Sequence, residues 1–231
     1  MTESRAAGVR ARARAEMIAE IKRIARDHLA ADGPNLSLRA VARDLGVVSS
    51  AVYRYFDSRD ALLTALIVDG YDSLGAAAEA AEAQVPRRDL AGRWTALGRG
   101  VRAWAIERPH EFALLYGSPV PGYAAPQDTI GPANRPVFVL AAILRDGVRR
   151  GVLAPSDRLP RAVRADLEQI ATLPGLDGIP AAVLGRGMTA WAQLFGSLSF
   201  ELFGRLTNGV TDFPAYFDHQ LKAMAGYLEL S

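Results

Sequence analysis

Residues 37–56 read SLRAVARDLGVVSSAVYRYF, and the fold is decided there. Ser37 can cap a helix whose apolar residues Leu38, Val41, Ala42 and Leu45 recur at three- and four-residue spacings. Gly46 ends that helix and supplies a left-handed turn position. Ser49 or Ser50 then caps a second short helix running through Phe56. Two short helices crossing steeply over a tight turn need three things: a small residue where they approach, a glycine in the turn, and apolar side chains facing a shared core. Ala42 is the small residue and Gly46 the turn. Leu38, Val41, Leu45, Val47 and Val52 are the core. Ser49, Ser50, Tyr53 and Arg54 project from the opposite side of the second helix, where a major groove would lie. The spacing predicts a helix-turn-helix, against the plainer reading of an ordinary helical hairpin.

Upstream, Met17, Ile21, Ile24, Ala25, His28 and Leu29 fall on one helical stripe, which Asp32-Gly33-Pro34 stops. Downstream, Asp57 or Ser58 caps a long helix from Arg59. Further helices are predicted at about 59–84, 88–107, 109–117, 132–150, 160–172, 180–206 and 213–230, with prolines as most of the punctuation. Gly117–Pro132 is the longest expected loop. No stretch alternates with period two, so the predicted class is all-α. The expected organisation is a basic N-terminal arm over 1–12, a three-helix head over 13–72 and a helical body over 73–231.

Composition narrows the function classes. Half of the 231 residues are hydrophobic and 23% are charged, enough for a folded core. The longest apolar run, Val137–Leu144, is far short of the roughly 20 residues of a membrane span. Four arginines and no apolar block in the first twenty residues predict no secretory signal, hence a cytoplasmic protein without membrane partners. There is no cysteine, and the three histidines lie far apart, so neither a thiol nucleophile nor a metal site is expected. Residues 1–60 carry 11 basic against 8 acidic side chains, and residues 61–231 carry 16 against 17. The surplus at the front is a weak nucleic-acid footprint.

Three tracts carry a family likeness: LRAVARDLGV (38–47), AVYRYF (51–56) and DSRDALLTAL (57–66), with the helix before them from about Arg14. The sequence here resembles the TetR family of bacterial one-component regulators over roughly its first 70 residues. The family pattern ends its recognition helix in aromatic-x-His-Phe, followed by a lysine; here Tyr55 replaces the histidine and Arg59 the lysine. The resemblance implies base-edge contacts by Arg39, Ser49, Ser50, Tyr53 and Arg54, and phosphate contacts by Ser37, Tyr55 and Arg59. Tyr55 has a second reading, as a side chain packed into the head.

The body offers Trp94, Trp104, Phe112, Tyr116, Phe138, Trp191 and Phe195 as candidate walls of an apolar effector pocket. Plain core is the competing reading for each. The segment WAQLFGSLSFELFG (191–204) resembles the C-terminal domain of a TetR subgroup named for a Trp-His-Gly signature. It keeps Trp191 and Gly196 and places Phe195 where the histidine is expected, which favours an apolar effector. Leu194, Leu198, Leu202 and Leu206 form one apolar ridge, and Phe217, Leu221, Met224 and Leu228 another, and both are expected at a homodimer interface.

Gly185-Arg-Gly-Met-Thr-Ala190 fits the dinucleotide fingerprint, but that motif needs a strand and a βαβ unit, so small packing residues on a helix are expected instead. No G-x-S-x-G, P-loop or H-E-x-x-H motif occurs, and Asp166 and Glu168 stand two apart, off a common helix face. No catalytic residue, cofactor or metal is therefore expected. The leading expectation is a DNA-binding repressor that acts as a homodimer on a palindromic operator and is released by a small lipophilic effector. The rival is a small-molecule-binding or catalytic helical protein with a vestigial head.

Overall fold

The computed structural model describes residues 2–33, 35–155 and 158–230, and side chains from residue 8 onward, Asp32 apart. Among these residues there are ten α-helices and no strand. They are α1 Thr2–Asp32, α2 Leu38–Asp44, α3 Ser49–Tyr53, α4 Arg59–Glu82, α5 Leu90–Glu107, α6 Pro109–Tyr116, α7 Ile130–Arg149, α8 Arg161–Ile170, α9 Ala181–Leu202 and α10 Phe213–Tyr227. A single 3-10 turn, Gln127–Thr129, precedes α7. The all-α expectation holds.

The chain forms two compact units, Met1–Gly70 with His110–Thr129, and Tyr71–Pro109 with Ile130–Ser231. The first is the head. Ile21, Ile24, Ala25 and Leu29 of α1 meet Leu38, Val41 and Ala42 of α2, Val52 of α3 and Leu62, Leu63 and Leu66 of α4 in one buried cluster. The segment 110–129, expected in the body, groups with the head instead. Its reason is apolar: Val120 is buried in that cluster, and Leu114 and Tyr123 pack on it. The Tyr123 hydroxyl also lies 2.9 Å from Thr64 Oγ1. Polar ties finish the unit: Lys22 Nζ and Arg26 Nη2 each donate to Asp69 at 2.8 Å.

Several boundaries moved. Where an arm was expected over 1–12, α1 is helical from Thr2, as its run of Ala, Arg and Glu favours. Pro34, expected as part of the stop after α1, lies outside the described residues. α7 begins at Ile130 and passes through Pro136, although proline cannot donate to the helix. Burial of Val139, Leu140, Ile143 and Leu144 farther along α7 offsets that loss. The dinucleotide-like tract lies inside α9, with Gly187 closely packed on Leu144. The length and mean hydropathy of α4 would suit a bilayer, yet its Leu62, Leu63, Leu66 and Leu74 are buried in the protein.

In the second unit, the body, α5 packs on α7, α9 and α10, and α9 packs on α7, α8 and α10. Arg102 on α5 makes a two-point ion pair with Glu201, and Arg99 another with Asp218 at 2.8 and 2.7 Å. Arg135 on α7 grips Asp72 at 2.9 Å and Glu79 at 2.7 Å on α4. Five of the eight residues of the two ridges expected at a dimer interface are buried within the chain, and Leu202, Leu206 and Met224 are half-buried. Leu194, Leu198, Phe217, Leu221 and Leu228 are all buried here. The opposite face is the exposed one, with Met188, Ala192, Gly196 and Phe200 on α9 and Tyr216, Ala223 and Tyr227 on α10. Leucine at every fourth position marks a helix's buried side, and it does not say which partner buries it.

Candidate nucleic-acid interface and body cavity

The helix-turn-helix is built as its residues require. Ser37 is extended (φ −129°, ψ 118°) and its Oγ accepts from Ala40 N at 3.4 Å, capping α2. At the other end Gly46 takes φ +73°, and paired bonds close the helix: Gly46 N to Arg43 O and Val47 N to Ala42 O, both 3.0 Å. This is the Schellman arrangement, which needs a left-handed residue where only glycine is unstrained. Val52 points into the core, so Ser50, Tyr53 and Arg54 face outward from α3. Ser58 Oγ accepts from Ala61 N at 3.0 Å and caps α4.

Two expectations are corrected locally. α3 ends at Tyr53 rather than Phe56, because Phe56 turns into the core. Neither Ser49 nor Ser50 is its cap: Val48 holds that position, makes no side-chain cap bond and is 71% exposed. Among the implied base-contacting residues, Arg39, Ser50, Tyr53 and Arg54 are exposed and Ser49 is half-buried. Tyr53 leaves 44% of its surface in solvent. Of the implied phosphate contacts, Ser37 is exposed and engaged as the cap. Arg59 is half-buried, with Nη1 3.4 Å from Asp60. Tyr55 packs against the head cluster, with the Arg14 guanidinium 5.0 Å over its ring. Val48 and Arg14 were missed in the sequence. The signal for Val48 was present, since an apolar residue at a cap position gives up a hydrogen bond.

A second polar link sets α1 against α2. His28 Nε2 lies 2.6 Å from Asp44 Oδ2. The hydrogen bond to His28, with help from neighbouring Arg43, holds the Asp44 carboxyl below its ordinary range.

The aromatics expected to line one pocket are not together. Phe112 and Tyr116 belong to the head unit, 5.3 Å apart between ring centres. Trp94 is fully buried with its indole N–H donating to Leu221 O at 2.9 Å, and Trp104 donates to Ser73 Oγ at 2.9 Å. Both are core, each with its polar handle satisfied. Phe195 is buried beside Trp191, ring centres 4.6 Å apart. Phe138 is partly exposed and lies against Gly175.

Trp191 lines a cavity. The cavity holds about 250 Å³ and is walled by Leu140 and Leu144 of α7, Ile170 of α8, Leu176 of the strap that follows, and Met188 and Trp191 of α9. No charged side chain lines it. The strap 171–180 is fastened to α7: Arg145 donates to Gly175 O and, at 3.0 Å, to Asp177 O. Gly175 has φ +87°, and a Cβ there would stand 2.6 Å from the Phe138 ring, so neither the backbone nor the space accepts a side chain. The sequence signals for this cavity were aliphatic rather than aromatic, and they were indistinguishable from core.

Comparison with known proteins fits this geometry. Residues 23–66 match the model of the bacterial regulatory proteins of the tetR family, and residues 94–224 match the tetracyclin repressor-like C-terminal domain. The HTH-type transcriptional regulator Rv1816 of Mycobacterium tuberculosis is 39% identical over 225 residues, covering 96% of each chain. The chain belongs to the TetR family. It is thereby a DNA-binding transcriptional regulator, in a family that is not enzymatic. Mb1846 of Mycobacterium bovis, another HTH-type regulator, shows the same identity and coverage. The solved structure of SCO4313 aligns with TM-score 0.75 at 35% identity, covering 93% of this chain and 98% of that one. The TetR family regulator PfmR of Thermus thermophilus, 18% identical with TM-score 0.58 over 88% of this chain and 96% of its own, shares the fold.

Proposed function

We propose that this TetR-family protein is a repressor that binds a palindromic operator as a homodimer and releases it when a small apolar molecule occupies the body. The observation that carries the ligand half is the cavity at Trp191, about 250 Å³ of aliphatic wall without a charged group. Such a wall disfavours sugars and anions, whose polar groups would lose water without gaining partners. A cavity of roughly 150 Å³ lined in this way holds benzene, so the larger one suits a molecule of about two rings.

In the head, Arg39, Ser49, Ser50, Tyr53 and Arg54 read base edges, and Ser37, Tyr55 and Arg59 hold phosphates. The exposure of Arg39, Ser50, Tyr53 and Arg54 opposite a dry core supports this reading. One head makes too few base contacts to select a site in a genome, and two related by a twofold axis read a palindrome. The exposed face of α9 and α10 supports the pairing, since small Ala192, Gly196 and Ala223 alternate there with Phe200, Tyr216 and Tyr227. Helix α4 is continuous from the head unit into the body unit, so a shift of its second half is carried to the recognition helix. A hundredfold loss of operator affinity requires about 2.7 kcal/mol of coupling. The protein acts in the cytoplasm, with the bacterial chromosome.

The test is a duplex selected from a random library, combined with titration of naphthalene and biphenyl followed by tryptophan fluorescence. Saturable quenching that disappears in Trp191→Phe, together with release of the duplex, is expected. Quenching without release would sink the effector reading and leave DNA binding standing. Failure to select any duplex would sink operator binding itself.

A further inference from the structure

Where the last turn of α4 approaches α5 and α7, four arginines face one cleft. Arg87 and Arg88 come from the loop between α4 and α5, and Arg149 and Arg150 from the end of α7. With Asp146 they line a cavity of about 470 Å³. Arg150 is held in place, its Nη1 donating to Arg88 O at 2.7 Å. Behind this lining lies Arg93, fully buried. Its Nε donates to Glu82, and its Nη1 donates to Asp146 at 2.7 Å and to Arg87 O at 3.3 Å. Its Nη2 is buried without a hydrogen-bond partner. Arg87 also approaches the same two carboxylates, Glu82 at 3.2 Å and Asp146 at 3.7 Å.

Glu82 and Asp146 are therefore already committed to Arg93 and Arg87. Five guanidinium groups meet these two carboxylates, and Asp89, next to Arg88, is engaged with Gly92 N at the start of α5, which leaves the cleft with a net positive charge. Arg88 and Arg149 have no ion pair among the described residues. A helix C-terminus attracts cations, which accounts for Arg149 and Arg150. Glu82 and Asp146 account for Arg87; Arg88, from the same loop, has neither a helix end nor a carboxylate to account for it. A cleft lined by one sign of charge raises the local concentration of the opposite ion.

We propose that this cleft binds the phosphate chain of a small phosphorylated molecule, two or three linked phosphates long. Guanidinium forks match phosphate oxygens with paired N–H donors, and four arginines lining a cleft with one carboxylate favour a multiply charged anion over a single carboxylate. The site is separate from the apolar cavity, and its lining shares no residue with it. It depends on neither operator binding nor the apolar ligand.

The experiment is calorimetric titration of the full chain with sodium phosphate, pyrophosphate and triphosphate at constant ionic strength. The variants are R88Q/R149Q, R88K/R149K and, as control, R161Q on α8; all three positions are exposed. Saturable binding that tightens with phosphate number is expected in the wild type and R161Q. At least a tenfold loss is expected in R88Q/R149Q, with a smaller loss in R88K/R149K, which keeps the charge and loses the forks. ATP binding no tighter than triphosphate assigns the site to the phosphate chain alone, and tighter binding adds the nucleoside; both support the site. Unchanged triphosphate affinity in R88Q/R149Q would overturn the proposal, placing the anion on the arginines of the head. So would affinity no greater than for sulfate. If R88Q/R149Q loses duplex retention and triphosphate does not bind at all, the cleft holds DNA backbone and the proposal fails. Matching melting curves show that the exposed substitutions leave the fold intact. R88K/R149K repeats the test should the glutamine pair not fold.

Discussion

Tyr53 in the head and Trp94 in the body are both large aromatics on short-range helical patterns, and the protein treats them in opposite ways. Tyr53 stands out from a five-residue helix with 44% of its surface in water, next to the exposed Arg54. Trp94 has no exposed surface, and its indole N–H is bonded to the backbone of α10. The head also leaves Val48 71% exposed. The body buries its tryptophans Trp94 and Trp104 and lines its cavity mostly with aliphatic side chains. In the head the exposed aromatic stands beside an exposed arginine, while in the body Trp94 and Trp104 are core and Phe200, Tyr216 and Tyr227 are exposed.

The sharpest way to break this contrast is to truncate the tryptophans. Trp94→Ala should cost about 3–5 kcal/mol of stability, read by urea denaturation, because a filled and hydrogen-bonded site becomes a cavity. Trp191→Ala should cost less and abolish the fluorescence response to naphthalene. Equal losses of stability would mean that Trp191 is core as well. Arg93→Ala comes next, at about 3 kcal/mol, since it strands Glu82 and Asp146 beside the remaining arginines.

In the head, Arg39→Ala and Tyr53→Ala should each cost about 1–3 kcal/mol of specific binding and leave the melting temperature near that of the wild type. Arg59→Ala should weaken specific and nonspecific binding together and lower the salt slope by about one charge. If the three variants bind like the wild type at every salt concentration, the exposed face of α3 is not the DNA face. Val48→Ser should act in the opposite direction, restoring a cap and stabilising the head by about 1 kcal/mol. A gain in stability with a loss of operator affinity would show that Val48 is exposed for contact with DNA.

The smallest effect is in acid. Asp44's carboxyl is held below its ordinary value of 3.8, first by its hydrogen bond to His28. Its contribution is present above that value and is lost as pH falls through the lowered one. The wild type should therefore lose melting temperature faster than Asp44→Asn below about pH 4, by a small margin because the carboxylate is exposed. Parallel acid profiles would show that the His28–Asp44 link contributes nothing to stability.

The head was legible because its constraints are local. A cap, a left-handed glycine and an apolar face within twenty residues leave one solution, and Ser37, Gly46 and Val52 all stand where their chemistry requires. The misreadings came where packing outweighed pattern. Helix α7 begins at Ile130, two residues before its expected start, and runs through Pro136 with its apolar face buried beyond it. The leucines of α9 pointed into the body rather than toward a second chain, since a fourfold spacing fixes a face and not its neighbour. The cavity was invisible because a wall of Leu, Ile and Met reads the same whether it meets another side chain or a ligand. The arginine cleft was missed for a different reason. Its members lie some sixty residues apart, on a loop and a helix end that only the fold brings together.

The cavity at Trp191 has a consequence for how long the protein lasts in a cell. A molecule that binds the native chain and not the unfolded one stabilises it by mass action, by about 2.7 kcal/mol at a hundred times its dissociation constant. Proteases that act on opened chains follow the population of those openings. If, as proposed, a compound seated among Leu140, Leu144 and Met188 releases DNA, it would slow the turnover of the regulator at the same time. Abundance and occupancy would then report the same chemical signal.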